Sequence, residues 1–158
     1  MYGGLKGGAD SLEVRTFEGE HLSDVPIPIA STVGIPQVRP KDKDFLLSIG
    51  GFLSPGTRYR YHVETEQLEL VKKSDIPRDL VDSAEVKRLY ATSKDGTQVP
   101  MWVIQPKNLK KDGTAATLLY GYGGFNVSLD PGFSYNIAHW VEQGGVYVIA
   151  NLRGGGEF

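Results

Sequence analysis

The sequence contains no cysteine, three histidines, two methionines and two tryptophans among its 158 residues. Without cysteine there is no disulfide, no thiolate nucleophile and no Cys-ligated zinc site. His21, His62 and His139 lie far apart and lack ligand spacing, so neither a metal nor any other cofactor is expected. No apolar run approaches the roughly 18 residues of a membrane-spanning helix, and the N-terminal MYGGLKGGADS has no apolar h-region. The chain therefore reads as soluble. A cytoplasmic location is expected, with a periplasmic or secreted one as the alternative. The net charge of −2 offers no basic surface, so nucleic acid and membrane are not expected partners.

Catalytic signatures are also missing. There is no G-x-S-x-G elbow, no P-loop and no complete G-x-G-x-x-G. No serine sits at a strand-to-helix turn and no histidine has an evident triad partner. The acidic pairs Glu18/Glu20 and Glu64/Glu66 flank turns and read as solvated carboxylates.

Glycine and proline are abundant instead, 20 and 9 residues. Together they make up about 18% of the chain against an average near 12%, which points to many tight turns. The first eleven residues are glycine-rich and without periodicity. Leu12, Val14 and Phe17, then Glu18-Gly19-Glu20, then Leu22, Val25 and Ile27 read as strand, turn, strand, the second ended early by Pro26 and Pro28. Residues 29–40 are proline-punctuated, and 41–44 form a charged loop. Phe45–Ile49 reads as a strand, and the Pro-Gly of Phe52–Gly56 as a turn. Tyr59, Tyr61 and Val63 alternate with polar residues in a half-buried strand, with Leu68 and Leu70 in its partner. Residues 17–22 and 63–68 superpose as turns at an offset of 46, a spacing that β-propeller blades produce.

The polar, proline-containing stretch near 76–83 reads as a linker. Beyond it, alternating strands at 85–92 and 99–105 flank Ser93–Thr97, whose Asp-Gly is a hairpin signal. Phe133, Ile137, Trp140 and Val141 form the apolar stripe of one helix closed by Gly144, and His139 falls off that stripe. Two apolar strands, 117–120 and 146–150, bracket that helix and are expected to be covered on both faces. Each runs into glycines: Leu118–Phe125 reads LLYGYGGF and 147–158 reads YVIANLRGGGEF. Strand, glycine loop, helix, strand, glycine loop is α/β-sheet grammar, and such sheets carry their chemistry at strand C-termini. On these residues alone the loop 120–126 has two readings. Its tyrosines either donate to a developing oxyanion or pack in a core above a tight turn.

Tyr120-Gly121-Tyr122-Gly123-Gly124-Phe125-Asn126, followed by Asn151-Leu152-Arg153-Gly154-Gly155-Gly156-Glu157, resembles the prolyl oligopeptidase family of serine peptidases. Phe52–Gly56 and Ser93–Thr97 with Val99-Pro100-Met101 are similar in order and spacing. The resemblance runs from about residue 12 to the end. It implies a β-propeller joined to an α/β-hydrolase domain, and hydrolysis of oligopeptides after proline by a monomeric enzyme. Residues 1–75 would then be the end of the propeller, 76–83 a linker and 84–158 the start of the peptidase domain. Tyr122 would be the oxyanion-hole donor and Phe125 a wall of the proline pocket, and 153–156 a structural loop beside the site. The serine, aspartate and histidine of the triad would lie outside these residues, so the chain is expected to be an inactive fragment. Two other readings are a fragment of oligopeptidase B, which cuts after basic residues, and a non-catalytic remnant or binding protein.

Overall fold

The computed structural model describes residues 2–5, 10–28, 30–34, 42–76 and 79–157. Three sheets follow one another along the chain. The first is antiparallel, in the order β1 (Tyr2–Leu5), β2 (Asp10–Arg15), β3 (His21–Asp24). The second is a four-stranded antiparallel meander of β4 (Ser31–Gly34), β5 (Asp44–Gly51), β6 (Ser54–His62) and β7 (Gln67–Lys72). The two turns that superpose at an offset of 46 residues are the β2–β3 and β6–β7 connections. They sit in sheets that stack on each other.

The alternation in β5 and β6 explains the stacking. Leu47, Ile49 and Tyr61 point to one face, all 3% exposed or less, and meet Leu12, Val14 and Val25 from the first sheet. Polar residues occupy the other face, where His62 bridges Asp44 and Glu69. A carboxylate fastens the two sheets at one edge, since Asp10 Oδ2 accepts a 2.6 Å hydrogen bond from the Val33 N–H.

After the short helix α1 (Asp79–Asp82) comes a mixed sheet built from β8 (Ala84–Thr92), β9 (Gln98–Pro106), β10 (Thr117–Tyr122) and β11 (Val146–Asn151), with α2 (Tyr135–Glu142) between the last two strands. The strand order is β10-β11-β9-β8, and β10 and β11 run parallel. Helix α2 buries Ala138 and Val141, and Val141 packs in one core with Trp102, Ile104 and Ile149. Gly144, at φ +89°, closes it, with its N–H bonded to the Val141 carbonyl.

That second core extends beyond the mixed sheet. Ala30 and Phe52 belong to it, and the rings of Phe52 and Trp102 stand 5.9 Å apart. Thr32 Oγ1 donates 2.8 Å to the Pro131 carbonyl across the same seam. The β4–β7 meander and the mixed sheet thus share apolar surface across the stretch read as a linker.

Six expectations change. Residues 2–5 form a strand against β2 despite their glycines. Ser31–Gly34 is a strand, which its proline-rich surroundings concealed. The turn in FLSPG is Phe52-Leu53, with Ser54–Gly56 already in β6. Phe52 is 3% exposed, so this turn tip inserts into a core where sequence patterns anticipate polar residues. The linker carries α1, and residues 77–78 lie outside the described residues. The largest change concerns β10, expected to be covered on both faces. All six of its residues are exposed, Leu119 to 71%, because it is the outer strand and pairs only with β11. Phe133 lies just ahead of α2, in edge-to-face contact with Tyr135.

Candidate active site

Parallel pairing of β10 and β11 brings both C-terminal ends to one edge of the sheet, with Tyr122 directly opposite Asn151. The two following loops, 123–129 and 152–157, therefore leave side by side. Backbone contacts join them: Asn126 N–H donates to the Gly154 carbonyl at 3.1 Å and Gly156 N–H to the Val127 carbonyl at 3.4 Å. The approach is so close that a Cβ on Gly154 would collide with the Gly123 carbonyl, and one on Gly123 with the Arg153 carbonyl. Gly154 also has φ +90°, which side chains rarely adopt. The glycines that end each strand exist for this contact.

Tyr122 ends β10, 39% exposed, with its ring folded back over the turn. A Cβ on Gly124 would stand 2.9 Å from its Oη and 3.1 Å from its Cζ. Phe125 follows at φ +55° and Asn126 at φ +57°, two successive non-glycine residues in the left-handed region. Such residues cost of order 1–3 kcal/mol each and gather at functional sites. Phe125 is 92% exposed, so packing within this chain does not repay its strain. The structure thus brings Tyr122 and Phe125 onto one turn at the strand end. Within this chain Tyr120, Tyr122 and Phe125 are 48%, 39% and 92% exposed, so none of the three packs in a core among the described residues.

Arg153 reaches away from this turn to the β8–β9 hairpin. Its Nη1 bonds Asp95 Oδ2 and lies 3.4 Å from Thr97 Oγ1, while Nη2 lies 3.4 Å from Ser93 Oγ. The Arg153 guanidinium, together with hydrogen bonds from Thr97, holds the Asp95 carboxyl well below its ordinary range. Two motifs separated by about sixty residues in sequence are one ion-paired unit in space. Between them lies a pocket of about 340 Å³ floored by Val99, Pro100 and Leu152; Tyr122 and Phe125 do not line it.

Sequence reasoning missed the polar cluster beneath the two loops. Glu157 and Asn151 are 3% and 2% exposed, and Asn151 Nδ2 donates to Glu157 Oε1 at 2.9 Å. Arg88 Nη1 donates to Asn151 Oδ1 at 3.2 Å, and its guanidinium lies 4.2 Å over the Trp102 ring. An amide ending an apolar strand was the one available signal, since the other partners meet only through the fold. His139 pairs with Glu142 on the exposed side of α2, away from the site. Among the described residues no group of three or more His, Cys, Asp or Glu could hold a metal ion.

No protein-family model matches the chain. Individual proteins do. A prolyl endopeptidase of Elizabethkingia meningoseptica is 42% identical over 120 residues, which is 74% of this chain and 16% of that protein. Prolyl oligopeptidase A of Galerina marginata is 40% identical over 124 residues, 76% of this chain and 17% of that protein. A structure from a mechanistic study of two prolyl endopeptidases superposes with a TM-score of 0.81 at 37% identity, covering 100% of this chain and 25% of that one. Prolyl oligopeptidase B from Galerina marginata, bound to a 35mer hydrolysis and macrocyclization substrate, gives a TM-score of 0.84 at 33% identity over 94% of this chain and 21% of that one. The chain thus spans between a sixth and a quarter of the length of these relatives. Identity and fold agree over most of its length, and the chain is similar to one part of these prolyl endopeptidases and oligopeptidases.

Proposed function

We propose that this segment serves a serine endopeptidase that cleaves oligopeptides after proline. Residues up to about 75 close its propeller, and those from about 84 open its peptidase domain. The observation that carries the reading is the turn after β10, where Tyr122 ends the strand and an exposed Phe125 is held in a costly backbone conformation.

Attack of a serine Oγ on the scissile carbonyl carbon moves the π electron pair onto oxygen, and the serine proton passes to a base. Both groups are supplied by parts of the enzyme outside this segment. The phenolic O–H of Tyr122 donates a hydrogen bond to that oxygen as its charge develops. A preorganised donor of this kind is worth about 10²–10³ in kcat. Phe125 offers an aromatic face to the pyrrolidine ring of the substrate proline, and a proline ring is flat and apolar enough to lie against it. Its left-handed backbone aims the ring out of the turn. A relative in complex with a 35mer supports a peptide as the substrate.

Cleavage-site mapping on the full-length enzyme tests the proposal. Chromogenic peptides with proline, arginine or alanine at the cleaved bond are expected to be turned over in that order, with proline far ahead. Phe125→Ala should lower kcat/KM on the proline peptide about tenfold or more, a typical cost of removing apolar contact in a specificity pocket. Preferred cleavage after arginine, with Phe125→Ala silent, would overturn it. The 158-residue chain by itself is expected to give no turnover.

A further inference from the structure

A turn carrying two consecutive left-handed residues does not hold its shape unaided. The backbone contacts to Gly154 and Gly156 constrain Asn126 and Val127, but the exit of the loop at Leu129 is held by something else. Glu157 Oε1 accepts a 2.8 Å hydrogen bond from the Leu129 N–H, and Asn151 Nδ2 donates 3.3 Å to the Leu129 carbonyl. One residue of the loop is thus gripped through both of its backbone polar groups.

Those two side chains also bond each other, and Asn151 stands opposite Tyr122 in the strand register. The clamp therefore joins the end of β10 to the far side of its loop. Glu157 is the one carboxylate buried among the described residues. Burying a charge is costly unless hydrogen bonds and a counter-charge compensate. Here burial alone would raise the carboxyl. The bonds from Leu129 and Asn151, with the nearby Arg88 charge, outweigh it and hold the group ionised. Space is reserved for it too, because a Cβ on Gly155 would collide with Glu157 Oε2.

We infer that Glu157 is a positioning residue: through Asn151 and the main chain of Leu129 it fixes the turn that presents Tyr122 and Phe125. This rests on the oxyanion role given to Tyr122 above. Glu157 touches neither substrate nor reacting atoms and acts only through the loop.

The test is a double-mutant cycle in the full-length enzyme with a proline-containing chromogenic peptide. Glu157→Ala is expected to lower kcat at least tenfold. Adding Tyr122→Phe to Glu157→Ala should then cost only a few-fold more, because a displaced tyrosine has little left to lose. Glu157→Gln keeps the accepting Oε1 and should restore kcat to within a few-fold of wild type. Gly155→Ala moves the carboxylate without deleting it, should mimic Glu157→Ala, and serves where that variant fails to fold. Hydrogen exchange should quicken at the Leu129 amide in Glu157→Ala and Gly155→Ala, and stay slow in Glu157→Gln. A costly Tyr122→Phe whose effect simply multiplies with that of Glu157→Ala, or equal losses for Ala and Gln, would overturn the inference. A silent Tyr122→Phe would instead remove the oxyanion reading on which it rests.

Discussion

The β4–β7 meander and the mixed sheet hold their loops by opposite means. In β5–β7 the turns are short, successive strands pair antiparallel, and the inner face packs onto the neighbouring sheet through Leu47, Ile49 and Tyr61. Connection and core are one thing there. In the mixed sheet the important loops leave the ends of a parallel pair, and β10 is exposed along its whole length. Its loop is shaped by facing glycines and by a buried polar clamp, Glu157 with Asn151. Apolar packing fixes the meander, whereas hydrogen bonds and close backbone contact fix the turn after β10. A turn that stays exposed cannot be fixed by apolar packing, so it has to be held from behind.

The two regions nevertheless meet in one core, and Trp102→Ala should break that joint. Removing a buried aromatic of this size costs about 3–5 kcal/mol. It also leaves Phe52 and the Arg88 guanidinium without their partner ring. Chemical denaturation followed by circular dichroism should show both sheets destabilised together. Loss confined to the mixed sheet would separate the two regions.

Phe125→Gly sharpens the contrast at the site. Glycine relieves a left-handed strain of about 1–2 kcal/mol, and a side chain 92% exposed gives up little burial. Thermal stability should hold or rise, while kcat/KM on proline peptides falls. A drop in melting temperature would mean that the ring packs in a way the exposure does not show.

A titration separates the meander further. Hydrogen bonds donated by the imidazolium to Asp44, then to Glu69, raise the His62 pKa above its ordinary value near 6.5. The folded state thus favours the imidazolium. Its contribution to stability is complete below pH 6.5 and fades as pH rises through the folded value. His62→Gln should remove that fall in melting temperature above pH 6.5. A slope unchanged by the substitution would contradict the pairing.

The smallest effect is expected on the exposed outer strand. Leu119→Lys, at a position 71% exposed, should change the stability of the 158-residue chain by no more than about 0.5 kcal/mol. It should also lessen self-association and dye binding, because Leu118, Leu119 and Tyr120 form an apolar strip on an unpaired edge. A large loss of stability would place β10 in a core after all.

Much of this architecture was legible from residue patterns. Alternation gave β6, β7 and the β8–β9 hairpin, because their period of two is dictated by one buried face. The repeated turn located two stacked sheets. The strand before the glycine loop was legible as a strand. Its exposure was not, since an apolar strand announces the neighbours it can have and says nothing of which are there. The Phe52-Leu53 turn was hidden because its tip is buried in a core shared with Trp102, a contact that no local pattern encodes. Glu157 was overlooked for a similar reason. It meets Leu129 from 28 residues away, and only the parallel pairing of β10 and β11 brings the two together.

The central claim is that Tyr122 stabilises the oxyanion from the end of β10. It is tested most directly by the steady-state kcat of Tyr122→Phe in the full-length enzyme on a single proline-containing peptide. Loss of one hydroxyl donor should lower kcat by about 10²–10³, with KM nearly unchanged, because the bond forms only as charge develops. A kcat equal to wild type, or a loss carried entirely by KM, would contradict it.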